Sequence, residues 1–409
     1  MKKQPRFAFA FITLLAAMLA CANPLGGTAP AQPANVETVV AATFAALTAP
    51  AAQASATPLP LTVSLLPHAM YFLNNDGAGL AQVYRLDQDG KTVTQLTFEP
   101  AQVDYYDVSL MDGSIAYISN NQLLTVNADG SNRSMIVDGG PRDENNFVLA
   151  SITNPVFSPN GETIAFGYKG LNFYSIVSGQ YNNVLENQID TLDGGLSVPR
   201  EMFSPEKYTA DGSKLVITLG YYEGASAAIY YPNGNALVRL NGDEGAFICC
   251  GDTEWTADGS AFYAAYPSLG MFSPGLWRVD AASGKVTTLL PGDAGDGTYN
   301  FADEPYLAPD GQLYYFFVNR SNTEEFLNRV PLQLVRSEAD GVTNRTVLSP
   351  EIFNILNEAL WAPDASFVIT ASGPIEEVYQ GGIIEIYYTD GQGAMLPLLP
   401  FAMNLKWGP

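Results

Sequence analysis

Along residues 66–409 the apolar positions fall in short alternating runs and not at helical spacing. Val83-Tyr84-Arg85-Leu86, Leu123-Leu124-Thr125-Val126, Leu276-Trp277-Arg278-Val279 and Ile384-Glu385-Ile386-Tyr387-Tyr388 read as half-buried strands. Each run breaks soon afterwards at a small turn dipeptide. The series is Asp89-Gly90, Asp129-Gly130, Ser178-Gly179, Asn233-Gly234, Ser283-Gly284, Asp340-Gly341 and Asp390-Gly391. Two-residue hairpins need positive φ at the tip, which Asp-Gly and Asn-Gly supply at the lowest steric cost. A second series is interleaved: Asp112-Gly113, Asn160-Gly161, Asp211-Gly212, Asp258-Gly259, Asp310-Gly311 and the degenerate Asp364-Ala365. Two hairpins per repeat make four strands. The repeats recur roughly every 40–57 residues, the period range of propeller blades.

A four-stranded meander cannot bury both of its faces alone, whereas meanders stacked around an axis cover one another. The pattern therefore predicts an all-β fold, a seven-bladed β-propeller of four-stranded antiparallel blades. Six or eight blades are the alternatives, because boundaries read from turns shift by several residues. The chain ends in Asn404-Leu405-Lys406-Trp407, which matches the start of a repeat such as Leu360-Trp361-Ala362-Pro363. The first strand, near 69–73, looks like the second of its blade. The C-terminal strand is thus expected to complete blade one and close the ring.

Asn154-Pro155-Val156-Phe157-Ser158-Pro159-Asn160-Gly161 and Glu304-Pro305-Tyr306-Leu307-Ala308-Pro309-Asp310-Gly311 resemble the repeat of TolB-like, WD40-like (PD40) propellers, and Asp252-Thr253-Glu254-Trp255 is a weaker match. The resemblance spans about residues 66–409. It implies a propeller that serves as a scaffold or accessory domain and names no ligand.

The N-terminus has Lys2, Lys3 and Arg6, an apolar run over 7–20 and then Cys21. These are the regions of a secretory signal, and Met18-Leu19-Ala20-Cys21 resembles a bacterial lipoprotein box. The expected organisation is a signal peptide over 1–20, an Ala/Pro/Thr-rich tether over 21–65 beginning at a lipidated Cys21, and a propeller over 66–409. The bland alternative is an ordinary signal peptide with an incidental cysteine. The apolar run is too short to span a bilayer as a helix. The expected location is extracytoplasmic, lipid-anchored to a bacterial membrane or cell surface.

Charge narrows the partners. The formal net charge is −23, which argues against nucleic acid, since phosphate binding draws on Lys and Arg. Membrane contact is expected through the lipid alone, and the chain is expected to be a monomer. Catalysis finds few candidates. The sole histidine, His68, lies where the tether meets the first strand, the place of a boundary residue more than of a triad base, and a multi-histidine metal site is ruled out. No Gly-x-Ser-x-Gly elbow occurs, and no cofactor is expected.

One register stands out. At the start of the innermost strands lie Asp107, Asn154, Pro205, Asp252, Glu304, Glu358 and Asn404. They form either a polar ring at the channel mouth that takes a ligand or a cation such as Ca²⁺, or acceptors for backbone groups of the next blade. Trp255, Trp361 and Trp407 share a nearby register and are expected to pack between blades. Gly292-Asp293-Ala294-Gly295-Asp296-Gly297 lacks the spacing and closing Glu of a calcium loop. Cys249 and Cys250 are adjacent and suit a vicinal disulfide outside the cytoplasm; two buried thiols are the alternative. Tyr105-Tyr106, Tyr221-Tyr222, Tyr230-Tyr231, Tyr314-Tyr315 and Tyr387-Tyr388 should each pack against both adjacent blades, because successive strand residues face opposite ways; sugar stacking is the alternative. The function expected is a non-catalytic, membrane-tethered propeller that binds a protein, peptide or glycan. The alternative is a carboxylate-dependent glycan hydrolase or lyase.

Overall fold

The computed structural model describes residues 64–142, 149–192, 195–242, 246–249, 253–270, 272–321, 329–375 and 378–409. Apart from one 3-10 turn at Pro232–Gly234, every regular element among these residues is a β-strand. The strands pair into six antiparallel sheets: four of four strands, one of five and one of seven. The seven-stranded sheet is two meanders sharing the strand Met395–Trp407. Its first half pairs with Gly382–Tyr388, placing Met395 opposite Tyr387. Its second half pairs with Met70–Asn75, placing Trp407 opposite Met70 and Lys406 opposite Tyr71.

The period of two divides each meander between two cores. Phe367, Ile369 and Ala371 point toward Met70, Phe72, Ile384 and Ile386. The intervening Val368 points the other way, into a core with Phe316, Leu334, Phe353 and Tyr387. Middle strands are covered on both faces and so read as continuous apolar runs; all five residues of Ile115–Ser119 are buried. Outer strands face solvent and turn polar, as in Gln180–Glu186. This gradient explains why only two or three strands per repeat are strongly apolar in the sequence.

The turns follow the chemistry read from the dipeptides. Gly130 has φ +79°, and the Asp129 carboxylate accepts the Ser131 N–H at 2.9 Å. Where the series degenerates, Ala365 takes the same left-handed conformation, with φ +56°, at a cost of about 1 kcal/mol. One element was not anticipated. Gln188–Thr191 folds back on the first half of Ser197–Tyr208 and makes that sheet five-stranded. Its turn falls outside the spacing of both dipeptide series.

Candidate functional site

The innermost strands are Val103–Val108, Thr153–Phe157, Ser197–Tyr208, Thr253–Trp255, Thr298–Leu307, Leu356–Trp361 and the end of Met395–Trp407. Residues from all seven line one cavity of about 1490 Å³. Most of these strands carry a register shift, for example between Val103 and Tyr105, Thr153 and Val156, and Asp303 and Tyr306. A bulge adds one residue on the inner strand and re-aims the side chains around it. Asn154, Glu304 and Asn404 sit in these bulges with φ of +41°, +48° and +54°, in the left-handed region that L-residues enter at some cost.

Asp107, Asn154, Pro205, Glu304, Glu358 and Asn404 all line this cavity, and most of them hold blades together. Asp107 Oδ2 accepts the Phe157 N–H of the next inner strand at 2.7 Å. Its Oδ1 pairs with Lys406 Nζ at 2.7 Å. Glu304 Oε1 accepts the Ala359 N–H at 3.1 Å. Glu358 accepts from Gly381 N–H at 3.1 Å and from Leu405 N–H at 3.0 Å. Asn154 donates to Glu206 at 3.1 Å, and the Asn404 carbonyl accepts the Tyr106 hydroxyl at 2.5 Å. Pro205 lines the cavity, while Asp252 lies outside the described residues. Burial pushes the Glu358 carboxyl above its ordinary range, against the pull of the backbone N–H groups of Asn404, Leu405 and Gly381.

The tryptophans of the neighbouring register do the same from the other side. Trp255 Nε1 donates to the Lys207 carbonyl at 3.1 Å, Trp361 to that of Glu304 at 3.0 Å, and Trp407 to that of Trp361 at 2.7 Å. Each ring packs between blades while its N–H reaches the preceding inner strand, as buried indoles require.

Electrostatically the channel is acidic. Among the described lining residues are six carboxylates (Asp104, Asp107, Glu206, Glu254, Glu304, Glu358) and three cations (Arg142, Lys207, Lys406). The cations pair with Asp104, Glu254 and Asp107 respectively. Among the described residues no cluster of three or more His, Cys, Asp or Glu is arranged to hold a metal ion. In the 292–297 loop, Asp293 accepts the Gly295 N–H and Asp296 the Thr298 N–H, both as local turn caps.

Cys249 is buried and disulfide-bonded; Cys250 and Cys21 lie outside the described residues. The tyrosine pairs divide. Tyr314 and Tyr315 are buried in two different inter-blade cores, as alternation demands. Tyr105 departs from that expectation. Tyr106 is buried with Val103 and Val108, while Tyr105 lines the channel and is 43% exposed. Tyr221 and Tyr222 are also exposed, at the turn between the strands Leu215–Tyr221 and Gly224–Tyr231. The bulge at Asp104 turns Asp104 and Tyr105 away from the same core. A strict count of alternation cannot see it, so Asp104, Arg142 and Glu206 were not singled out from the sequence, and the packing expected of Tyr105 gives way to a place on the channel wall.

No family model matches the chain, and no curated protein matches it. Solved structures do. A prolyl endopeptidase aligns over 84% of this chain and 49% of its own, with 13% identity and a TM-score of 0.53. A puromycin-hydrolyzing peptidase of Mycobacterium tuberculosis aligns over 82% and 52%, with 12% identity and a TM-score of 0.51. TolB from Acinetobacter baumannii aligns over 83% and 82%, with 16% identity and a TM-score of 0.41. The chain spans about half the length of the two peptidases. At these identities the likeness is one of fold, and the fold is that of a β-propeller.

Proposed function

We propose that this chain is a non-catalytic, membrane-tethered extracytoplasmic propeller that binds a protein, peptide or glycan at its central channel. The observation that carries this reading is the employment of the channel carboxylates. Asp107, Glu304 and Glu358 accept backbone N–H groups from the next blade, so they make the wall rigid and are poorly placed to trade protons with a substrate. What remains is a large polar cavity on a stiff frame, the form of a recognition site. The tether and anchor rest on the Lys-rich start, the apolar run and Cys21.

Two measurements test the halves separately. Cys21→Ser should move the full chain from the membrane to the soluble fraction; unchanged membrane retention refutes the anchor. Immobilised full-length protein should retain an envelope component that Asp104→Lys loses. Equal retention by both removes the channel as the binding site, and turnover of a glycan by the purified chain would replace the reading with the enzymatic one.

A further inference from the structure

We propose that the channel recognises a neutral or amine-bearing sugar ring, stacked on Tyr105 and gripped by the Asp104–Arg142 pair. This rests on the binding function proposed above and names its ligand class. The bulge between Val103 and Tyr105 sends Val103, Tyr106 and Val108 into the inter-blade core and leaves Asp104 and Tyr105 on the channel side. The Tyr105 ring is thus a large apolar face held open inside a cavity, whereas Tyr106 beside it is buried.

The groups around that face are planar, polar and already oriented. Arg142 Nη2 donates to Asp104 Oδ2 at 2.5 Å, and Gln102 Nε2 donates to Asp104 Oδ1 at 2.9 Å. Carboxylate lone pairs and guanidinium N–H groups exceed what these two bonds consume. Paired acceptors and donors beside an aromatic face match vicinal hydroxyls on one edge of a sugar ring and C–H groups on its face.

Two further features separate this ligand from others. A peptide that binds by strand addition would need a regular inner edge, and bulges interrupt that ladder. An anionic sugar would meet six carboxylates against three cations, which repel it. Neutral and amino sugars meet neither obstacle.

The test is calorimetric titration of the detergent-solubilised full chain with cellohexaose, a glucosamine hexamer, hexagalacturonate and oligolysine. The neutral and amino hexamers should bind and hexagalacturonate should not. Tyr105→Ala should weaken binding about tenfold or more, the scale of one lost aromatic contact. Tyr105→Phe should retain it, and both variants should melt like the parent because the ring is exposed. Absence of binding by both the neutral and the amino hexamer, or equal affinity in Tyr105→Ala, overturns the proposal. Oligolysine binding without sugar binding also overturns it, while leaving the channel's binding function intact.

Discussion

Deleting residues 402–409 should remove much of the stability of the propeller. Those residues supply one strand to the Met70–Asn75 meander and several fastenings to neighbours. The Asn404 carbonyl accepts from Tyr106, Leu405 N–H donates to Glu358, Lys406 pairs with Asp107, Trp407 donates to Trp361, and Gly408 N–H donates to the Ala69 carbonyl. At about 1 kcal/mol for each hydrogen bond, with about 1–3 kcal/mol more for each buried partner left unpaired, the loss reaches at least about 6 kcal/mol. Removing the packing of Trp407 against Phe367 adds about 2 kcal/mol. Domains are typically stable by only about 5–15 kcal/mol. Met70–Asn75 would also become an open edge. Thermal unfolding followed by circular dichroism and calorimetry should show a midpoint lowered by on the order of 10 °C, or no cooperative transition. A cooperative melt within about 3 °C of the full chain would show that the seam contributes little, and the account of the C-terminal strand would fail.

Two other outcomes follow from the channel wall. The folded Glu358 carboxyl lies above its ordinary range because of burial, so the fold binds this proton more tightly than the unfolded chain does. Its contribution is fully present below the ordinary carboxylate value and is lost as pH rises through the folded one. Denaturant midpoints of Glu358→Gln should therefore improve relative to the parent as pH rises above the ordinary carboxylate value of about 4; a difference independent of pH would refute the assignment. Calcium at millimolar concentration should leave the melting temperature unchanged, because Asp107, Glu304 and Glu358 are already engaged by the next blade. A rise of several degrees would return the ring to cation binding.

The architecture was legible because it is local and periodic. Asp129-Gly130 forms its turn for a reason contained in two residues, and the alternation through 367–371 assigns Val368 and Ile369 to opposite faces whichever blade lies beyond. The pairing of the last strand with the first was legible too, since Trp407 repeats the register of Trp361. What the ring of polar residues does was a different matter. Sequence placed Glu304 and Glu358 in one register but could not say whether their oxygens face the channel or the next strand's N–H groups. That choice depends on bulges, and a bulge is a relation between two strands that neither strand's sequence contains alone. The same cause hid Tyr105. One extra residue at Asp104 moves a tyrosine that alternation would bury onto the wall of the cavity, so tertiary structure alone decided where the exposed aromatic face would be.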